Sequence, residues 1–144
     1  MAVGGCFCGN VRVEYSGQPI KAALCHCIDC RKLTGTLFTY SFIVKNTDLK
    51  VTGSPKEVPK TADSGNYIKN YFCPDCGTPL YGMRVNSDGA AADGVTVLRA
   101  GIFDDLEVLN EHKAELEIYV DGRVNWLTAV EGADECVGMP PPSS

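Results

Sequence analysis

The most informative segment of this chain is Cys73-Pro74-Asp75-Cys76-Gly77. Two cysteines separated by two residues and followed by glycine make a tight turn, in which both sulfur atoms can point at one metal ion. Structural zinc is nearly always four-coordinate, so one such pair supplies only half of a site. The sequence therefore predicts that a second compact cysteine pair lies next to this one in the folded chain.

The best candidate for the second pair is Cys6 and Cys8, which are also followed by glycine. The two pairs together would give four sulfur ligands and a closed structural site. A third group then remains, with Cys25, Cys27 and Cys30 in six consecutive positions. Three is the number of protein ligands that a catalytic zinc takes while its fourth position stays open to water or substrate. The favoured interpretation is two zinc ions per chain, one structural and one open.

Other assignments of the ligands also fit these spacings. Cys25 and Cys30 could serve the structural site, or His26 could replace one of the sulfurs. Because His26 lies between two cysteines, we expect its ring to face away from the metal and to bond to backbone or water. The eighth cysteine, Cys136, has no partner at a metal-binding spacing, and we expect an ordinary thiol there.

Eight cysteines in 144 residues could instead form a disulfide framework, as in small secreted proteins. Tight clustering favours convergence on a metal over pairing with distant partners. The sequence also shows no secretion signal at its start and no run of the roughly 20 apolar residues that a membrane span needs. We therefore expect a soluble, cytoplasmic protein whose thiols stay reduced.

The charge balance indicates the class of partner. Lys and Arg total 13 against 18 Asp and Glu, which gives a formal net charge of −5. A protein that binds phosphate backbones normally carries a basic stripe, so the composition argues against nucleic acid. We expect a small-molecule partner, and no membrane partner.

Short runs of alternating apolar and polar residues predict a mainly β fold with little helix. These runs span residues 11–15, 38–44, 49–51, 66–72, 95–98 and 116–120. Helix is expected only near 28–33 and 104–109, and the Gly- and Ala-rich stretch 86–94 is typical of a loop. The length suits one domain, predicted over residues 1–135, with a flexible tail over 136–144.

Three motifs together resemble one known family, the glutathione-dependent formaldehyde-activating enzymes, which also includes the centromere protein V domain. The motifs are Gly5-Cys6-x-Cys8-Gly9-x-Val11, then Cys25-His26-Cys27-x-x-Cys30-Arg31-Lys32-x-x-Gly35, then Phe72-Cys73-x-x-Cys76-Gly77-x-x-Leu80. Later matches are Ala100-Gly101-x-x-Asp104-Asp105 and Arg123-x-x-Trp126, so that the resemblance spans nearly the whole chain.

The resemblance implies a β-tent fold of packed antiparallel sheets, stapled by zinc. It implies a structural zinc on Cys6, Cys8, Cys73 and Cys76, and a catalytic zinc on the other three clustered cysteines, which is the division that ligand counting favours. The implied activity is formation or cleavage of a carbon–sulfur bond, as in the condensation of glutathione with formaldehyde. The chain is thus predicted to be a carbon–sulfur lyase, and the alternative is a non-catalytic zinc scaffold of the centromere-protein-V kind.

Three further residues bear on the predicted activity. Tyr40 is the first candidate for a proton donor, because it lies in the aromatic run that follows the second cluster. Arg31 matches the family motif and is a candidate for binding glutathione, whose carboxylates need cationic partners. Many members carry a histidine where this chain has Glu117, and the alternation of neighbouring apolar residues predicts that Glu117 faces solvent.

Overall fold

The computed structural model describes residues 1–62 and 65–140, and within them most of the regular structure is β-strand. In chain order the strands are β1 (Ala2–Gly5), β2 (Arg12–Tyr15), β3 (Lys21–Cys25), β4 (Thr39–Lys45), β5 (Leu49–Thr52), β6 (Lys56–Thr61), β7 (Tyr67–Phe72), β8 (Pro79–Arg84), β9 (Val95–Arg99), β10 (Leu116–Ile118) and β11 (Asp134–Glu135). Two short helices, α1 (Ile28–Thr34) and α2 (Leu106–Asn110), and 3₁₀ turns at Asn46–Asp48, Ala100–Ile102 and Val120–Gly122 join them.

The strands form two sheets. The smaller sheet has three strands in the order β1-β2-β5, and both of its pairings are antiparallel. The larger sheet has eight strands in the order β11-β10-β3-β4-β9-β8-β7-β6. The predicted mainly β fold with little helix is confirmed. One departure from antiparallel sheets is β10, which pairs in parallel with both β3 and β11.

The hydrophobic core lies between the two sheets. The small sheet contributes Val13 and Tyr15, and the large sheet contributes Phe42 and Leu98, all of them buried. Phe103 joins the two sets of side chains, and its ring meets that of Tyr15 edge to face at a centroid distance of 5.3 Å. Rings in this arrangement add attraction beyond the area that they bury. The core therefore fixes one face of the large sheet against the small sheet.

Strand β4 shows how the two faces of the large sheet differ. Phe42 points into the core, whereas Thr39 and Ser41 are buried polar residues at the alternate positions. Because successive side chains of a strand point to opposite faces, Thr39 and Ser41 lie on the face away from the small sheet. Cys25 pairs with Thr39 across the β3–β4 ladder, so the second cysteine group begins on this polar face.

The C-terminal segment returns to the large sheet. The Cys136 N–H donates to the Glu117 carbonyl at 2.9 Å, and the Cys136 carbonyl accepts from the Val120 N–H at 3.1 Å. The first residue of the predicted tail thus takes part in the hydrogen-bond network, while residues 141–144 lie outside the described residues. The domain boundary at 135 stays a prediction. In the described part of the chain, every helix is too short to cross a bilayer.

Candidate metal centres and substrate cavity

The first cysteine cluster is built from two matching turns. Cys6 follows β1 and Cys73 follows β7, and each begins a turn that ends in a glycine. Gly9 donates its N–H to the Cys6 carbonyl at 3.1 Å, and Gly77 donates to the Cys73 carbonyl at 2.8 Å. Both glycines have a positive φ, 84° and 82°, which a residue with a Cβ adopts only with strain. The sequence Cys-x-x-Gly or Cys-x-x-x-Gly therefore folds each sulfur pair toward a common point.

The four sulfur atoms of this cluster have the spacing of a tetrahedral zinc site. Sγ of Cys8 lies 3.6 Å from Sγ of Cys6 and 3.7 Å from Sγ of Cys73. With Cys76 included, all four sulfurs lie within 4.8 Å of one another. A zinc–sulfur bond of about 2.3 Å in a tetrahedron gives a sulfur–sulfur edge of about 3.8 Å, whereas a disulfide bond is about 2.05 Å. The four cysteines are free thiols, and their spacing fits zinc.

Contacts between the two turns close this site. The Phe7 N–H donates to Oγ1 of Thr78 at 3.0 Å, and the Asn10 amide donates to the Asp75 carboxylate at 2.8 Å. Thr78 also lies 3.2 Å from Sγ of Cys76, and its hydrogen bonds lower the pKa of that thiol to about 6. A depressed thiol pKa favours the thiolate that binds metal. Four sulfurs in a closed cage fit a structural zinc.

The second cluster is built where β3 runs into α1. Cys25 is the last residue of β3, Cys27 is the N-cap of α1, and Cys30 lies in its first turn. The Cys30 N–H donates to Sγ of Cys27 at 3.3 Å, as a capping interaction requires. All three sulfurs lie within 4.8 Å of one another, and each residue is half-buried. Thr39 on β4 donates its hydroxyl proton to Sγ of Cys30 at 3.3 Å.

The ionisation of the thiols at this three-sulfur site favours the binding of a cation. Hydrogen bonds from Cys25 and Cys30 lower the pKa of Cys27 to about 2, and the same contact with Cys27 raises the pKa of Cys25. Two thiolates in contact repel each other, so without a metal the three thiols compete for ionisation. A divalent ion that binds here would allow all three to ionise. Among residues 1–62 and 65–140, no His, Asp or Glu joins the three sulfurs as a fourth donor.

Behind this cluster lies a buried network that centres on Glu117, which is 1% exposed. Its Oε1 lies 2.8 Å from Nε2 of His26, and its Oε2 accepts from the Val130 N–H at 2.8 Å and lies 3.2 Å from Nη2 of Arg123. These contacts outweigh the effect of burial and lower the pKa of Glu117. An ionised carboxylate only accepts hydrogen bonds, so Nε2 of His26 carries the proton.

Two predictions about this region are wrong. Glu117 was expected to face solvent, but the segment that carries Arg123 and Val130 covers it. His26 was expected to bond to backbone or water through its ring, but the ring donates to the Glu117 carboxylate. His26 does not join the three sulfurs as a ligand, and within the described residues its Nδ1 has no partner.

A cavity of about 470 Å³ opens beside the second cluster. Its lining includes Thr39, whose hydroxyl touches Sγ of Cys30, and Phe38, whose ring packs against His26 at 5.6 Å. It also includes Arg99, which sequence reasoning missed because nothing in the pattern of β9 marks it. Neither this cavity nor a wider hollow of about 620 Å³ around Tyr67 has a cysteine in its lining, but only the smaller one includes Thr39, which contacts Sγ of Cys30. The smaller cavity is therefore the candidate substrate site.

The other two predicted residues lie apart from the sulfurs. Tyr40 is among the residues that line the cavity, but its hydroxyl donates to the carbonyls of Leu109 and His112, and its ring packs against Phe42 on the other face of β4 from Thr39. This placement gives no support to Tyr40 as a proton donor at the cluster. Arg31 is exposed on α1, and its carbonyl accepts the N–H of Gly35 at the end of the helix. Its role in binding glutathione stays a prediction.

Comparison with known proteins supports the same family as the motifs. The family model described as "Glutathione-dependent formaldehyde-activating enzyme" matches residues 1–122. A Penicillium rubens protein described as "Putative glutathione-dependent formaldehyde-activating enzyme" is 32% identical over 85 residues, which cover 58% of this chain and 44% of that protein. A protein of the same description from Aspergillus flavus is 31% identical over the same shares. The chain thus matches less than half the length of these relatives.

One solved structure shares the fold. A crystallised Rhodobacter sphaeroides protein superposes with a TM-score of 0.52 at 20% identity, over 76% of this chain and 96% of that protein. At this identity the likeness concerns the fold alone. The family match, in contrast, extends over most of the chain and includes both cysteine clusters. The chain belongs to the glutathione-dependent formaldehyde-activating enzyme family.

Proposed function

We propose that this protein is a zinc-dependent carbon–sulfur lyase or synthase, which acts on an adduct of glutathione or of another small thiol. Cys25, Cys27 and Cys30 would hold the catalytic zinc, and the four-sulfur cluster would hold the structural one. The observation that carries the proposal is a set of three converging sulfurs, without a fourth donor among the described side chains, beside a cavity. Catalytic zinc sites have this composition.

The chemistry is a reversible addition of a thiol to a carbonyl compound. In the forward direction the thiol sulfur bonds to the carbonyl carbon, and the thiol proton ends on the carbonyl oxygen. The reverse direction breaks the same carbon–sulfur bond and returns the proton to sulfur. Zinc on three cysteines would favour the thiolate form of an incoming thiol. Thr39 supports the site from the protein side, since its hydroxyl neutralises part of the charge on Cys30.

The size of the cavity bears on the substrate. About 470 Å³ lies within the range of small-molecule sites and far exceeds what formaldehyde fills. Because Glu117 stands where many members of the family carry histidine, we expect weak activity on glutathione with formaldehyde and a larger thiol adduct as the substrate. The net charge of −5 also supports a small-molecule partner, and metal-binding thiolates support a reducing location such as the cytoplasm.

Cobalt substitution tests whether the second metal accepts a thiol. The protein is loaded with Co²⁺, glutathione is added, and the d–d and sulfur-to-cobalt bands are recorded together with proton release. We expect the bands to change in the unmodified protein and in Cys136→Ser, which removes the thiol outside both clusters. The change should be lost in Cys27→Ser. Any turnover must then exceed the uncatalysed rate of adduct formation, which is itself fast.

The contrary result is equally clear. If the cobalt bands do not respond to glutathione, cysteamine or 2-mercaptoethanol, the second metal has no exchangeable position. The protein would then be a zinc scaffold and not an enzyme of thiol adducts.

A further inference from the structure

The polar face of the large sheet carries a half-buried arginine on the same side as the three-sulfur site. Arg99 is the last residue of β9 and pairs with Ser41 on β4, two positions along from Thr39. Thr39 in turn pairs with Cys25 across the next ladder. Partners across an antiparallel ladder point to the same face, so Arg99, Ser41, Thr39 and Cys25 share one face.

The guanidinium of Arg99 is held in place by two neutral side chains. Its Nη1 donates to Oγ of Ser41 at 3.2 Å, and its Nη2 donates to Oδ1 of Asn70 at 3.1 Å. Asn70 reaches this position by lying across Gly82, where a Cβ would come within 2.4 Å of its Oδ1. Gly82 thus makes room for the amide that orients Arg99. These groups fix the direction of the guanidinium, which a flexible surface arginine lacks.

The positive charge of Arg99 lacks a carboxylate partner. Within residues 1–62 and 65–140 it makes no ion pair, and its buried Nε has no hydrogen-bond partner. The charges that act on it are those of Cys30, Cys25 and Cys27, which oppose the effect of burial on its pKa. A half-buried guanidinium with a buried, unused Nε–H is suited to an anion that can accept that hydrogen bond.

One cavity is lined both by this cation and by Thr39, which contacts Sγ of Cys30. Its remaining walls include Leu37, Phe38, Pro79 and Gly101. Carbon-rich walls with one fixed charged group are typical of small-molecule sites, in which the charge sets the orientation of the ligand. A molecule that fills this cavity would lie against Arg99 and against Thr39, whose hydroxyl contacts Sγ of Cys30.

We infer that Arg99 binds a carboxylate of the thiol substrate and so determines specificity for anionic thiols. Nε and the adjacent Nη of a guanidinium form a fork that matches the two oxygens of a carboxylate. Ser41 and Asn70 hold the other N–H groups, so this fork keeps its direction in the free protein. The inference rests on the proposed function, because it places the thiol end of the same molecule at the three-cysteine site.

The test compares two thiols of equal length, 3-mercaptopropionate and 3-mercaptopropanamide, by their affinity for the cobalt-loaded protein. We expect the carboxylate to bind about tenfold more tightly or better, which corresponds to one charge-assisted hydrogen bond. Arg99→Gln should abolish this preference while the affinity for the amide stays within about twofold. Arg99→Lys keeps the positive charge but lacks the paired N–H groups, so it should retain part of the preference for the carboxylate. Arg84→Gln, at the opposite end of β8 from Pro79, is the matched control and should keep the full preference.

Two outcomes would overturn the inference while the proposed function stands. One is an equal affinity of the unmodified protein for both thiols. The other is an equal loss of affinity for both thiols in Arg99→Gln, which would mean that Arg99 only balances the charge of the sulfurs. If Arg99→Gln does not fold, the comparison of Arg99→Lys with the unmodified protein decides.

A second measurement keeps the inference testable if neither thiol reaches the metal. The ¹⁵Nε–H resonance of Arg99, assigned by its loss in Arg99→Lys, is followed during titration with propionate. A saturable shift would support the carboxylate site even though the proposed function had failed. The absence of a shift, together with the absence of thiol binding, would contradict both the carboxylate site and the proposed function.

Discussion

At the scale of single residues, Glu117 shows why a short strand is hard to interpret from alternation. Leu116 and Ile118 flank it, and the pattern predicts that its side chain faces solvent. The strand is only three residues long, however, and the segment from Arg123 to Val130 folds over its outer face. A charged residue at such a position is tolerated because both of its carboxylate oxygens meet donors. The donors are distant from Glu117 along the chain, so the sequence pattern around Glu117 does not predict the network.

The Glu117 network gives a prediction about pH. Glu117→Gln should destabilise the protein by about 3 kcal/mol at pH 7. The substitution removes the buried negative charge that pairs with the Arg123 guanidinium. The lowered pKa of Glu117 means that its contribution is complete above its ordinary value of 4.5 and is lost as the pH falls through the folded-state value. The difference between variant and unmodified protein should therefore shrink below about pH 4.5. Urea denaturation at several pH values measures it.

Glu135→Gln is the matched control for this experiment. Glu135 lies 2.6 Å from the same Nη2 of Arg123, but its side chain is 43% exposed. Solvent screens such a pair, so its removal should cost less than about 1 kcal/mol at every pH. Equal effects of the two variants would show that the burial of Glu117 does not strengthen its contacts.

At the scale of elements, alternation predicted six of the eleven strands in the described residues and missed β1, β3, β6, β8 and β11. It predicted β2, β4, β5, β7, β9 and β10 to within one or two residues. It missed β3, where Ala22, Ala23 and Leu24 are all buried, because a strand covered on both faces does not alternate. It also missed β6, an edge strand that is exposed along its length and contains Pro59.

The same limit explains which parts of the site were predictable. The cysteine ligands follow from local spacing, because each group folds within a few residues and the sulfurs must converge. Arg99 and Thr39 come to the site through the registers of β3 with β4 and of β4 with β9. No local pattern encodes a register between distant strands, so these residues could be found only in the folded structure.

The 3₁₀ turn at Val120–Gly122 gives a prediction at this scale. A Cβ on Gly122 would come within 2.4 Å of the carbonyl oxygen of His26, which lies between two of the cysteine ligands. Gly122→Ala should therefore lower the free energy of unfolding by about 2 kcal/mol, as overpacking against backbone does. It should also weaken metal binding at the three-sulfur site. Thermal unfolding and metal content measure the two effects.

Gly101→Ala provides the comparison. Gly101 also lies in a 3₁₀ turn, but a Cβ there would meet nothing within 4 Å. The free energy of unfolding of the Gly101→Ala variant should stay within about 0.5 kcal/mol of that of the unmodified protein. A cost equal to that of Gly122→Ala would show that the turn conformation, and not the contact with His26, sets the effect.

At the scale of the whole molecule, the two clusters differ in what they join. The four-sulfur cluster takes Cys6 and Cys8 from the end of the small sheet, and Cys73 and Cys76 from the turn between β7 and β8 of the large sheet. A metal there would link the two layers that enclose the core. The three-sulfur cluster lies within one segment of chain and joins no distant elements.

This difference predicts unequal effects of cysteine removal. Protein prepared without chelator should contain two zinc ions by elemental analysis. Cys73→Ser and Cys8→Ser should unfold or aggregate, because structural zinc contributes on the order of 10 kcal/mol to folding. Cys27→Ser should lose one zinc while circular dichroism and cooperative unfolding persist, and Cys136→Ser should keep both ions.

The contrary results are specific. Equal collapse of the Cys8, Cys73 and Cys27 variants would mean that both metals are structural. One zinc per chain, or disulfide bonds in intact protein by mass spectrometry, would contradict the assignment of ligands.

The span of the four-sulfur cluster also sets an order of events during synthesis. Cys8 and Cys73 are 65 positions apart, so at about 5 to 20 residues per second the ribosome needs about 3 to 13 s to make the second half of the site. The three-sulfur group is complete within six residues and can take up metal at once. Throughout that delay Cys6 and Cys8 are two thiols on a nascent chain, open to oxidants and to the wrong metal. The proposed structural site is therefore the one that translation leaves incomplete the longest.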